Sequence, residues 1–333
     1  MLLLAPLFAA ALAGALPEAD TRSFKFWIVG CDNGLLCHAA AMAPINGDES
    51  NTMSFMRGPE ADDVPVVRFV SADKPVAAIA GGVRFALTEY GDYPAVAPAD
   101  MPAFIDAIRK AEVIFLVGEN NAQLGVVSLA GASASMLYMD EQQRRLGTQS
   151  ALIRKGPRTY VPPPPPLPVI KAPALSRAEP VAIDRSALFA DVGLSDEEAR
   201  EFNMATYRLD ANTTLALIET DYGGAYNIEY IVMLADNKGA WRPAPFDTAA
   251  DMSGEGPAAD GLYYGATNAA YESQNGLLIG GPLCRGVGDC GHQFAYVWDG
   301  AVFRKVRGEA LGASRGRIVP ISTLRASVIR ARR

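Results

Sequence analysis

The chain has 333 residues, half of them hydrophobic and a fifth charged, with a formal net charge of −7. That is apolar material for two ordinary cores, and it argues against wholesale disorder. The acidic balance argues against nucleic acid as the main partner.

Leu2 to Leu16 form an unbroken apolar or small run. At ~1.5 Å per residue it is too short for a ~30 Å bilayer core. Ala13-Gly14-Ala15 supplies the small-residue pattern of a cleavage site, so residues 1–15 read as an export signal. No Lys or Arg precedes the run, which departs from the usual signal; an uncleaved anchor or a buried helix is the alternative. Cys31 lacks the Leu-and-small pattern of a lipoprotein, so no lipid anchor is expected. Beyond residue 20 no apolar stretch is long enough to span a membrane.

Phe24 to Val29 is rich in aromatic and β-branched residues and reads as a strand leading into Cys31. Asn33-Gly34 then gives a strong turn signal, and a five-residue connection sets Cys31 opposite Cys37. Val64 to Ser71, Val83 to Leu87 and Val113 to Val117 read as further strands. Met101 to Ala111 reads as a helix with Phe104, Ile105 and Ile108 on one face and Asp100 as its N-cap. The spacing of Leu129, Ala132, Ser133, Met136 and Leu137 predicts a second helix over Ser128 to Leu146, with Gly147 as a left-handed C-terminal cap. Small residues from Ala130 to Ser135 let that helix approach a sheet closely, and Arg144 and Arg145 complement its dipole.

Val161, five prolines, Leu167 and Pro168 form the clearest boundary. Proline fixes φ and lacks an N–H, so the run reads as a polyproline II spacer of roughly 20 Å. Beyond it, Ser195-Asp196-Glu197-Glu198 is a capping box that starts a helix running to about Ala205. The remainder is strand-like: Thr213 to Thr220, Tyr226 to Leu234, Leu262 to Tyr264, Gly276 to Ile279, and Phe294 to Val306. Asp299-Gly300 splits the last into a hairpin of Tyr296-Val297-Trp298 and Val302-Phe303-Arg304. After Glu309 no acidic residue occurs while six arginines do. Ile321, Leu324, Val328 and Ile329 suit one helix face opposite them, which makes the tail a candidate for an anionic surface such as lipid headgroups.

The expected architecture is therefore α+β. A mixed strand and helix domain (20–160) is joined by a Pro-rich linker (161–175) to a predominantly antiparallel β domain with one N-terminal helix (176–312) and a basic tail (313–333).

Four cysteines occur, Cys31, Cys37, Cys284 and Cys290, in two pairs of equal spacing behind an export signal. Two local disulfides are the simplest reading, and they place the protein in the periplasm or outside the cell. Each pair is followed by a histidine, His38 and His292, so a zinc site is an alternative, against which the cysteine spacing argues. A redox-active pair is another, without a Cys-x-x-Cys motif. Gly131-Ala132-Ser133-Ala134-Ser135 lacks the closing glycine of a serine elbow. Asp140 with Glu141, or Glu219 with Asp221, are carboxylate pairs for acid and base work in an interdomain cleft. No catalytic motif, cofactor loop or metal set stands out. A non-enzymatic envelope module is the leading expectation, with Tyr263, Tyr264 and Tyr271 as candidate contacts, and a carboxylate hydrolase is the alternative.

Trp27-Ile28-Val29-Gly30-Cys31-Asp32-Asn33 with Cys37, then Val127 to Ala132, then Tyr138-Met139-Asp140-Glu141-Gln142-Gln143-Arg144 with Gly147-Thr148 are the most distinctive segments. With Cys284, Cys290-Gly291 and Trp298-Asp299-Gly300 they resemble a family of exported bacterial proteins known as domain of unknown function 1176. The first half is also similar to invasion-associated locus B proteins, through the Trp-x-x-x-Cys start and the small-residue helix. The resemblance implies a periplasmic or secreted protein with its cysteines paired, and it implies no catalytic residue.

Overall fold

The computed structural model describes residues 15–42, 51–71, 73–191, 203–224, 226–248, 265–284, 290–312 and 319–332. The segment expected to be an export signal (1–15) is outside these but for Ala15. So are the expected capping box at 195–198 and the expected strand at 262–264.

The first half opens with β1 (Arg22–Phe24), β2 (Trp27–Cys31), β3 (Cys37–Ala41), β4 (Thr52–Arg57), β5 (Val66–Val70), β6 (Ala77–Ala80), β7 (Val83–Tyr90) and β8 (Tyr93–Val96). Then come α1 (Met101–Ile108), β9 (Val113–Val117), β10 (Gln123–Ser128) and α2 (Ala132–Gln142). All ten strands join one antiparallel sheet in the order β1-β2-β3-β4-β5-β8-β7-β6-β9-β10. The sheet curls until its ends meet: the Trp27 indole donates to the Ser128 carbonyl at 3.0 Å, and Phe26 N to Ala130 O at 3.2 Å. Its concave face and the buried faces of α1 and α2 share one core around Trp27, Phe55, Phe69, Phe104 and Met136. Phe104, Ile105 and Ile108 are buried, as the helical spacing requires. Each such side chain contributes roughly 1.5–3 kcal/mol. Gly131 (φ 110°) shows why the segment before α2 is small, since a Cβ there would overlap the Phe24 carbonyl.

After residues 161–168, which carry neither helix nor strand, come β11 (Val169–Ala172), α3 (Arg185–Asp191), β12 (Met204–Arg208), β13 (Thr214–Gly224), β14 (Asn227–Ala235), β15 (Trp241–Pro243), β16 (Gly265–Thr267), β17 (Ala270–Glu272) and β18 (Leu277–Gly280). The chain finishes with β19 (Leu283–Cys284), β20 (Cys290–Trp298), β21 (Phe303–Leu311), β22 (Pro320–Arg325) and β23 (Ser327–Arg330). One sheet runs β12-β13-β14-β15 with β16 on β14; the other runs β17-β18-β20-β21-β22 with β19 on β20. Leu215, Leu217, Val232 and Leu234 of the first share a cluster with Leu278, Phe294, Tyr296 and Trp298 of the second, so the two sheets pack face to face. Ala295 and Val297 point the other way, onto Ala172, Ile170 and Val328 of the parallel pair β11–β23. Burial on both faces explains the unbroken apolar run of Phe294 to Trp298. The fold as a whole is mainly β, made mostly of antiparallel sheets with few helices.

Several expectations need correction. Phe24 to Val29 is two strands, because Lys25 takes a left-handed turn (φ 51°) that folds β1 back on β2. The second helix ends at Gln142, and its left-handed position is Arg144 (φ 58°), not Gly147. Arg144 N reaches Glu141 O and Arg145 N reaches Asp140 O, which closes the helix as a Schellman motif. Asp100 makes no side-chain cap. The segment up to Ala205 is not helical at its end, since β12 starts at Met204. The linker range of 161–175 includes β11 directly after the proline run.

The basic tail is the largest departure. It forms β22 and β23 instead of a helix, and Ile321 and Leu324 are fully buried. Ile321 packs on Ile28 and Ala40 of the first sheet. Its Ile, Ser, Thr and Val content suits a pleated surface better than a helix.

Candidate functional site

The two cysteine pairs are both bridged. Cys31 is joined to Cys37 across directly opposed positions of β2 and β3, with Cα atoms 4.0 Å apart. Cys284 is joined to Cys290 across β19 and β20 at 5.0 Å. The sulfurs that a zinc site or a dithiol centre would use are thus bonded to each other. Among the described residues no three of His, Cys, Asp and Glu gather as a metal would require.

The loop of the first bridge is a junction. Asp32 accepts from Gly34 N at 2.8 Å and Leu36 N at 3.1 Å with one oxygen. With the other it accepts from Ser322 Oγ at 2.9 Å and from the Arg325 guanidinium. Asn33 exchanges two hydrogen bonds with the Arg325 backbone, at 2.9 and 2.8 Å. Next to it, His38 Nδ1 lies 3.1 Å from the Pro320 carbonyl, and its Nε2 is buried with no partner among the described residues. Burial pulls the His38 pKa below its ordinary 6.5, with Arg68 and Arg325 adding to the effect against the Pro320 carbonyl and Asp32. Among the described residues two tail arginines are engaged: Arg325 here, and Arg330 on the carbonyls of Asn275 and Gly276.

The Tyr138-to-Thr148 motif forms a buried polar cage. Asp140 is paired with Arg57 at 2.9 Å and also accepts from Leu152 N and Ile153 N, each at 2.9 Å. Gln143 accepts from Arg57 Nε at 2.6 Å and donates to the carbonyls of Leu35, Arg57 and Gly58. Arg145, fully buried, donates to the carbonyls of Pro59, Glu60 and Ala61. Burial pushes the Arg57 guanidinium down to about 10, against the pull of Asp140. The cage ties α2 to β4 and to the loops on either side. It holds no free acid or base.

The remaining candidates do not converge. Ser133 is inside α2. Glu219 accepts from Asn203 at 3.2 Å on β13, while the Asp221 side chain is outside the described residues. Tyr263 and Tyr264 are outside them too. Tyr271 is buried against Tyr207, ring centres 5.2 Å apart, and desolvation pushes its hydroxyl up to about 12.

A polar cleft lies elsewhere. A cleft of about 570 Å³ runs beside β12, lined by Thr206, Tyr207 and Arg208 on one side and by the Leu175–Ala178 segment, Pro180, Ser273 and Gln274 on the others. Among the described residues its lining holds two arginines, three hydroxyl side chains besides Tyr207, and no carboxylate. Arg208 is fixed by Thr214 Oγ1 at 3.1 Å, Ala211 O and Asn237 Oδ1, whereas Arg177 is exposed. None of these residues carries a motif, so the sequence alone gives no signal for the cleft.

The family described as Protein of unknown function (DUF1176) matches residues 21–320. The chain belongs to this family. The match takes in both disulfides, the Asp140 cage and the β12 cleft, and it stops as β22 begins. The DUF1176 chain is similar to Uncharacterized protein YpfG of Escherichia coli (strain K12), 26% identical over 322 residues and covering 86% of each chain. No solved structure matches.

Proposed function

We propose that this DUF1176 chain is an exported, non-enzymatic binding protein of the bacterial envelope, working in the periplasm or beyond it. In this reading residues 1–15 are removed on export. An α+β lobe (20–160) and a β-rich lobe (176–312) then flank the Pro-rich connection (161–175).

The observation that carries the reading is the cleft beside β12, which is open, polar and rich in donors. A hydrolase reading is disfavoured by Asp140, whose two oxygens already serve Arg57, Leu152 N and Ile153 N in a site closed to solvent. Export is tested by fusing residues 1–20 to a phosphatase that is active only outside the cytoplasm. Binding is tested by thermal unfolding of the mature chain with peptidoglycan fragments, lipopolysaccharide, anionic vesicles and extended peptides. Ligand at 100 times its Kd adds about 2.7 kcal/mol, a shift of several degrees in Tm. Saturable stabilisation by one component without its turnover supports the reading; steady turnover of any component overturns it.

A further inference from the structure

The parity of the β12–β13 ladder fixes which way each backbone group of β12 points. Asn203 O accepts from Glu219 N, and Leu209 N donates to Thr213 O, so Asn203 and Leu209 are hydrogen-bonded positions. The register between them is unshifted, pairing Ala205 with Leu217 and Tyr207 with Leu215. Hydrogen-bonded pairs alternate in an antiparallel ladder, so Ala205 and Tyr207 face β13. The N–H and C=O of Met204, Thr206 and Arg208 then point away from the sheet, toward its free edge. Among the described residues no hydrogen bond reaches the backbone of Thr206 or Arg208 on that side. The cleft lies alongside those two residues.

Three other edges are protected in the usual ways. β22 packs against β2 and β3, β10 meets the Phe26–Trp27 turn, and β15 ends in Pro243. β12 has none of these devices at Thr206. Among the described residues a polar trough stands beside it, not another strand.

We propose that the cleft takes an extended acidic peptide, which adds to β12 as a further strand. This rests on the binding reading above and names its partner class. A row of outward amide and carbonyl groups is satisfied in register only by another extended backbone, which is the physical basis of strand addition. Thr206 to Arg208 spans about 10 Å of strand, matching about three ligand residues. The sign of the charge follows from the lining. Arg177 is exposed, and among the described residues it has no ion partner and no carboxylate lines the cleft.

The test uses the mature full chain and dye-labelled octapeptides of alternating threonine and valine, carrying two aspartates, two lysines or neither. Fluorescence anisotropy should rank them acidic, neutral, basic, with about two- to five-fold between neighbours for one exposed ion pair. N-methylation of alternate amides in the acidic peptide should weaken it at least about ten-fold, because two ladder bonds are lost. Thr206→Pro removes an N–H that faces the edge and leaves the inner ladder whole, so the fold should persist and binding should fall. Arg177→Glu should invert the charge ranking even if Thr206→Pro does not fold. The inference is overturned if the N-methylated peptide binds as well as its parent. Dimerisation of the chain that Thr206→Pro abolishes also overturns it, since a second copy is then the occupant. Loss of peptide binding alone leaves the envelope-binding reading standing wherever another component still raises Tm; no stabilisation by anything removes both.

Discussion

Asp140 and Arg57 face each other at 2.9 Å with both side chains sealed from solvent, 0% and 1% exposed. The pair joins the last turn of α2 to the end of β4, 83 residues away in sequence. Breaking a buried pair by removing one partner leaves an uncompensated charge and costs about 3–5 kcal/mol. Asp140→Ala also strands the N–H groups of Leu152 and Ile153. We expect Asp140→Ala and Arg57→Ala each to lower stability by that amount in urea. The double variant should cost less than the sum, with a coupling of about 0.5–3 kcal/mol. Additive losses would show that the two groups act separately.

The sequence made the local devices legible and left the long-range ones hidden. The Asp299-Gly300 hairpin, the opposed Cys31 and Cys37 and the Phe104 face of α1 depend on neighbours, so spacing and turn chemistry reveal them. β20 read correctly as apolar strand for the same reason. The tail misled because its Ile, Leu and Val positions fit a helical period as well as a strand, and only packing on Ile28 and Ala40 selects the strand. Asp32 with Arg325 is separated by 293 residues, and no pattern in one sequence announces it. The β12 cleft is hidden for a different reason: it is made of backbone direction and empty space, which side-chain motifs do not encode.

The first bridge closes a loop of about seven residues, for which chain entropy gives roughly 2 kcal/mol. Cys31 and Cys37 are both buried, while Cys284 is exposed. We expect the Cys31→Ala, Cys37→Ala double variant to fold and to lose about 2 kcal/mol at the urea midpoint. A thiol reductant should open Cys284–Cys290 before Cys31–Cys37, read by the order in which the four cysteines become alkylated. The reverse order contradicts the exposure argument.

Removing residues 313–333 deletes β22 and β23, and with them Ile321 and Leu324, both fully buried, and Arg325 on Asp32. Each large buried aliphatic lost costs about 2–5 kcal/mol, against a total stability of about 5–15 kcal/mol for a typical domain. The truncated chain should therefore be unfolded or aggregated, with its near-ultraviolet dichroism lost. A truncated chain that melts cooperatively within a few degrees of the full chain would mean the tail is dispensable. Arg325→Ala is the milder probe. It should lower stability without unfolding and leave the Cys31–Cys37 bridge intact.

His38 gives a pH dependence of definite sign. Burial, helped by Arg68 and Arg325, holds its folded pKa below the 6.5 of an unfolded histidine, and the opposing Asp32 and Pro320 carbonyl do not restore it. Above pH 6.5 both states are neutral and nothing changes. As pH falls below 6.5 the unfolded chain takes a proton that the folded site refuses, so stability drops by up to about 1.4 kcal/mol per pH unit until the folded pKa is reached. The group is positioned so that the cost is felt where β22 meets β3. Urea midpoints of wild type and His38→Gln at pH 7.5 and 5.5 isolate it from the other titrating groups. The wild type should lose up to about 1.4 kcal/mol more than the variant on acidification, and hydrogen exchange should rise first in Pro320–Arg325. Parallel losses in both proteins would exclude His38 as the cause.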